Sequence, residues 1–445
     1  MLSALQTGLN KLFCTTTWKV RLVFWFSAIL VGIAATIFAL ASEHVHSLFK
    51  QILAISPYLP LILTPLVLVL VAWLTRRFFP GAQGSGIPQT IAAIDMHDHG
   101  LRSALLSLRI AIGKILLTLL GLLGGASIGR EGPTVHVGAG IMFSMGNLAR
   151  FPHHYMDRSL ILAGGAAGVA AAFNTPLAGI VFAIEEMSRS FEQRTSGTIL
   201  TAVVIAGITA IAIQGPYTYF GVSSATLPIS SSWLAVLVCG VLGGGLGGLF
   251  SRMLIHGTQW MNPLHMKYPL RIAAICGLGI AAIGLLSGST TYGTGYEEAR
   301  MLITGSGNLD PAYPLMKFLA TIVSYLSGIP GGIFAPSLAT GAGVGAFLAE
   351  WFSTVPVEAI VLLGMVGYFT GVVQTPITAF VIVMEMTGNH GMLLPLMLTA
   401  LIAQGTSRLV CPQPIYQVLA GPFLAKQAPA GTPDEPDEDP DKSVR

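Results

Sequence analysis

The chain has 445 residues, 53% hydrophobic and only 10% charged, with a mean hydropathy of +0.72. Soluble domains carry about 25% charged residues, so these figures exclude a soluble enzyme or scaffold and imply a polytopic membrane protein. A formal net charge of +3 singles out no nucleic-acid partner.

Residues 1–21 read as a cytoplasmic segment. Lys11, Lys19 and Arg21 precede the uncharged run 22–41, which is long enough to span a bilayer, and no cleavable leader is evident. The apolar run 58–74 ends in Arg76-Arg77 and returns the chain to the same side. Breakers fill 79–88, a polar loop follows at 97–100, and 105–125 is helical in length despite Arg109 and Lys114. After a Gly-rich helix over 135–145, Arg150, His153, His154, Asp157 and Arg158 predict an interfacial loop. Further apolar runs cover 160–172, 177–184, 198–213, 233–250, 272–286, 315–326 (interrupted by Lys317), 359–373, 377–386 and 393–402. Residues 428–445, acidic and Pro-rich, predict a disordered cytoplasmic tail. Four cysteines (Cys14, Cys239, Cys276, Cys411) lack metal or redox spacing, and three lie in or beside apolar runs. They read as small buried hydrophobes, so neither metal nor cofactor is expected.

An internal repeat organises the chain. Asn174-Thr175-Pro176-Leu177-Ala178 is answered 200 residues on by Gln374-Thr375-Pro376-Ile377-Thr378, and Glu185 by Glu385. Gly129-Arg130-Glu131-Gly132-Pro133 is answered 203 residues on by Gly332-Ile333-Phe334-Ala335-Pro336. Duplicated halves, roughly 22–215 and 230–427, with breaks at matching places predict a transport site between them.

Three breaker segments open helices: Gly84-Ser85-Gly86-Ile87-Pro88, Gly129 to Pro133, and Gly332 to Pro336. Non-helical backbone at membrane depth is tolerated only under protein cover or along a watery cavity. Three helix amino ends aimed at one point would bind an anion through peptide N–H groups, weakly enough for release. Ser85 and Tyr416 can add hydroxyl donors. Glu131 is an acid inside an apolar region, a functional candidate by default; the plainer reading is a capping carboxylate paired with Arg130. Glu186 is a second candidate, or an interfacial acid at a helix end. Lys114 reads as a buried charge partner, with a shaper of anion potential as the alternative, Glu385 as structural and His136 as a satisfied core residue. Arg130 and Arg408 either draw anions in or anchor at an interface.

The three segments, together with Tyr416, resemble the signature set of the CLC chloride channel/transporter family, colinearly over about residues 22–427. The resemblance implies an all-α CLC fold of two inverted repeats with many tilted or re-entrant helices, forming a homodimer with one pathway per subunit. Ser85, Tyr416 and the backbone amides of Ile333 and Phe334 match the family's anion ligands, Glu131 its external gating glutamate, and Glu186 its internal proton-transfer residue. Gln89 and Ile91 depart from the acidic residues of close bacterial relatives. The implied function is chloride/proton antiport in the bacterial inner membrane, with both termini cytoplasmic and no enzymatic activity. Rival expectations are a passive voltage- or pH-gated chloride channel of the same fold, fluoride export, and an intramembrane serine hydrolase using Ser85.

Overall fold

A computed structural model describes residues 15–149, 153–189, 193–228 and 231–425; Cys14 and the acidic tail lie outside them. The described chain is helical. In the first half come α1 (Thr15–Ile55), α2 (Pro60–Phe78), α3 (Ile87–Asp95), α4 (His99–Leu105), α5 (Leu108–Leu123), α6 (Glu131–Leu148), α7 (His153–Phe173), α8 (Pro176–Phe182) with a wide π turn (Ala183–Ser188), and α9 (Gln193–Gln214). The second half holds α10 (Leu234–Lys267), α11 (Pro269–Leu286), α12 (Tyr296–Ile303), α13 (Tyr313–Leu326), α14 (Phe334–Ala349), α15 (Val357–Val373), α16 (Pro376–Thr387), α17 (Leu393–Val410) and α18 (Ile415–Leu424). Proline sits in the first turn of α2, α8, α11, α13 and α16, where its missing N–H leaves no intrahelical bond unmade.

Seven helical stretches among the described residues are long and apolar enough to cross a membrane. Their outward faces carry large exposed hydrophobics, such as Ile62, Ile208, Ile275 and Leu286, which only lipid or another apolar surface covers favourably. The short helices lie inside. From Ala359 to Val373 every residue of α15 is buried, and most of α6 and α14 is buried too.

The halves repeat in three dimensions. The pair α6–α7 corresponds to α14–α15, and the contacts of α9 with α1 and α7 to those of α17 with α10 and α15. Both inner pairs cross at glycines. A Cβ on Gly138 would stand 2.2 Å from the Gly164 carbonyl oxygen, and one on Gly341 2.8 Å from that of Gly364. The backbones touch, which is how membrane helices gain packing where water expulsion contributes nothing. Gly138→Val is therefore expected to destabilise the fold by about 3 kcal/mol or more. Thermal unfolding of the detergent-solubilised protein measures it, and an unchanged midpoint would refute the crossing.

Two expectations need correction. Asp157 and Arg158 sit on the first turns of α7, not in a loop. Asp157 is buried and accepts from Arg102 Nη1 at 3.0 Å, with His99 Nδ1 at 3.3 Å. This ion pair, made across 55 residues of sequence, lets a charged stretch remain helical. The polar segment at 97–100 likewise starts α4, with the Asp98 carboxylate accepting from the N–H groups of Gly100 and Leu101. Cys239, Cys276 and Cys411 are buried free thiols, as expected.

Candidate functional site

The three breaker segments meet. Gly84 N–H donates to the Ile329 carbonyl, and Gly331 N–H to that of Gly84, each at 3.1 Å. Gly129 and Gly332 exchange both backbone bonds at 2.7 Å. These two are repeat counterparts, so their reciprocal pairing is the signature of a local two-fold axis. Gly84 and Gly86 have φ of 66° and 104°, the left-handed region that glycine enters without steric cost. The amino ends of α3, α6 and α14 are thereby held at one point by the turns that start them.

Ser85 is fully buried, and its Oγ occupies the space of the absent side chain at Gly132, 2.1 Å from where a Cβ there would lie. Tyr416, in the first turn of α18, is equally buried and in electrostatic range of Ser85, Tyr325, Glu131 and Glu186. Neither hydroxyl has a hydrogen-bond partner of good geometry within the chain. Ile333 and Phe334 stand at the first-turn end of α14, where peptide N–H groups have no carbonyl of their own helix to bind. Ile87 and Pro88, Pro133, and Pro336 fill the corresponding first turns of α3, α6 and α14.

Glu131 is buried at the first position of α6. Its carboxylate folds back over Gly129, with Oε2 2.2 Å from where a Cβ there would lie, toward the backbone N–H groups of Arg130, Glu131 and Ala335. None of these meets it at full hydrogen-bond geometry. The carboxylate thus lies over the joined amino ends of α6 and α14. It is not paired with Arg130 in the plain capping sense. That guanidinium is buried, donates to the Ala39 carbonyl and to Glu43 Oε1 (3.4 Å), and stacks 5.8 Å over the Tyr219 ring. An interfacial anchor is excluded by the same burial. Arg408 instead lies exposed beside a cleft of about 350 Å³ lined also by Glu185, Arg189, Gln374, Thr375 and Gln404.

Lys114 separates the two readings offered for it. It is fully buried, yet its ammonium donates to carbonyls and not to an acid: Ala82 (2.7 Å), Gln83 (3.3 Å) and Gly84 (2.9 Å). A buried ammonium against the segment that carries Ser85 favours an anion there, because attraction is stronger away from water. His136 is only half satisfied. Its Nε2 lies 2.9 Å from the Leu105 carbonyl while Nδ1 has no partner. The ring packs on Gly86, the neighbour of Ser85 in the chain, and its Nε2 faces the Leu105 carbonyl. Gln89 Nε2 donates to the Gly81 and Gln83 carbonyls, so it braces the first breaker segment, and Ile91 is buried in α3.

Glu186 is fully buried in the π turn, with neither carboxylate oxygen partnered, which disposes of an interfacial acid reaching for water. The two sites are joined by packing. Phe334 contacts Phe173, Phe182 and Phe369 with ring centroids 5.5, 6.2 and 4.4 Å apart, and Phe182 is the residue on which α8 gives way to the turn.

Two features were missed in the sequence. Tyr325 brings its hydroxyl against Gly84 and the Ser85 backbone; an aromatic residue in an apolar helix gives no signal of that. A mirror of the first breaker segment also exists. Thr291-Tyr292-Gly293-Thr294-Gly295 precedes α12, and buried Lys317 donates to the Thr291 (2.9 Å) and Gly293 (2.8 Å) carbonyls as Lys114 does to Ala82 and Gly84. There Glu298 opposes the lysine's charge, whereas the first half has Gln89 at the matching place.

A profile of the family described as voltage-gated chloride channel matches residues 66–408. The chain belongs to the CLC family. It is 32% identical over 369 residues to the H(+)/Cl(-) exchange transporter ClcA of Cronobacter sakazakii, covering 80% of this chain and 78% of that one. The ClcA of Yersinia pestis bv. Antiqua is likewise 32% identical, over 391 residues, with 84% and 79% covered. Among solved structures, a slow cyanobacterial Cl-/H+ antiporter superposes with a TM-score of 0.79 at 28% identity over 91% of this chain and 99% of that one. A CLC-type fluoride/proton antiporter does so at 0.76 and 25%, covering 89% and 96%. The fold is thus the all-helical, repeated CLC architecture of a multi-pass membrane protein.

Proposed function

We propose that this chain exchanges chloride for protons across a bacterial inner membrane. In this reading Ser85, Tyr416 and the backbone amides of Ile333 and Phe334 hold the anion, Glu131 is the gate, and Glu186 passes protons on the cytoplasmic side. The observation that carries it is the Glu131 carboxylate folded over the joined amino ends of α6 and α14. An ionised carboxylate is attracted to peptide N–H groups as chloride is, so the two compete for one place. A protonated carboxyl loses that attraction and yields. Proton binding and anion occupancy are then linked, and linkage of this kind is what exchange requires.

Three further observations support the reading. Phe334, at the start of α14, packs on Phe182, the residue just before the π turn that carries Glu186. The Tyr416 hydroxyl is in electrostatic range of both acids, Glu131 and Glu186, and of Ser85. Relatives at 32% identity carry the exchange-transporter name. Transport proceeds in each subunit of a homodimer embedded in lipid, through the domain spanning residues 22–427 with both termini cytoplasmic.

In liposomes, an outward chloride gradient is expected to drive proton uptake, and a voltage-clamped reversal potential to depend on the proton gradient. A potential set by chloride alone would instead establish the passive channel. Tyr416→Phe is expected to weaken chloride binding about tenfold in calorimetry, the scale of one hydrogen bond to a charged group. An unchanged Kd would remove Tyr416 from the ligand set. Because both hydroxyls are retained, chloride is expected to outcompete fluoride in the same titration.

A further inference from the structure

Two acids outside the proposed pathway make a reciprocal clasp. Glu185, on the π turn, accepts from the N–H groups of Ile377 (3.1 Å) and Thr378 (2.7 Å), which open α16. Glu385, near the end of α16, accepts from those of Leu177 (3.1 Å) and Ala178 (2.7 Å), which open α8. The four distances repeat pairwise across 200 residues of sequence, so each helix is capped by the carboxylate of its counterpart. Both helices need it. Thr175-Pro176 and Thr375-Pro376 start them abruptly, after Asn174 and Gln374 in left-handed backbone (φ 56° and 60°), and neither threonine caps its own helix with its side chain.

Beyond the clasp the two halves differ. In the second, α16 stays α-helical to Thr387, and the residue after Glu385 is the buried apolar Met386. In the first, the helix widens at Ala183–Ser188. Inserted π turns direct neighbouring side chains to different faces and recur at functional positions. Here Glu185 leaves toward α16, while its neighbour Glu186 is buried without a partner.

The geometry points to Glu385 and Glu185 as positioning residues, one holding the start of the helix that leads into the π turn and the other tying the turn itself to α16, and so setting the placement of Glu186 for proton transfer. Glu385 fixes the start of α8 and Glu185 fixes the turn to α16; neither passes protons itself. This rests on the exchange reading above. Glu385 is the informative one to change, because it bears on the turn only through α8.

The test compares wild type, Glu385→Gln and Glu385→Met in liposomes, with chloride efflux and chloride-driven proton uptake measured in parallel. Losing one cap shifts a local equilibrium by about fivefold. The protons carried per chloride are therefore expected to fall by about fivefold in the Met variant, with chloride flux held near wild type. Glu385→Gln, which keeps one oxygen acceptor, is expected to lie between. Equal loss of both fluxes, or unchanged coupling in both variants, overturns the positioning role. Should the Met variant not fold, unchanged coupling in Glu385→Gln alone overturns it. Wild type that moves no protons refutes the exchange reading itself, whereas coupled wild type with coupled variants refutes only the clasp's role.

Discussion

Glu131→Gln is expected to abolish chloride-driven proton uptake while leaving a chloride flux that no longer responds to pH. Glutamine has the size of glutamate but no charge, so it cannot replace chloride over the amino ends of α6 and α14. Attraction between a partly buried carboxylate and one helix end amounts to about 2 kcal/mol, and here two ends converge. Loss of that competition should change the pH dependence by more than about tenfold. The measurement is the initial rate of proton uptake and chloride efflux in liposomes at several pH values. Uptake that survives the substitution would show that the proton does not bind at Glu131.

Glu186→Gln is expected to give the same split from the other end of the proton path: chloride continues to pass, and protons no longer follow. The reversal potential under a proton gradient should move to the chloride equilibrium value. Glutamine matches glutamate in size, so the buried place of Glu186 stays filled when the charge is removed. A buried acid with no partner for either oxygen costs stability, and a protein retains it where the proton is used. Proton pumping left intact in Glu186→Gln would assign the inner step to another group.

Both substitutions probe residues that the chain itself singled out as candidates, because an acid in an apolar run is conspicuous wherever it occurs. The proposed anion ligands stood out for a different reason. Glycine and proline around Ser85, Glu131 and Ile333 announce helix starts, and helix starts carry free N–H groups whatever the rest of the fold does. The carbonyl cradle of Lys114 was not legible, since a lysine in a helix gives no sign of what it meets thirty residues away. Nor was the ion pair that keeps Asp157 helical, or the packing of His136 on Gly86. The repeat shows through its longest motifs, but its most diverged copy, Thr291 to Gly295, is marked only by Lys317 standing in the position of Lys114.

By itself the sequence determined that the protein lies in a membrane, that it is made of two related halves, and that three helices begin inside it. Those properties follow from local chemistry: side-chain hydrophobicity, the spacing of glycine and proline, and charge where none is expected. Only the tertiary structure decided that the three beginnings coincide, that Arg130 bonds Ala39 and Glu43, and that each half caps a helix of the other. Such facts depend on contacts between residues 30 to about 250 apart. Their directions are set by how whole helices cross at glycine contacts, a property of packed backbones that no short stretch of chain contains.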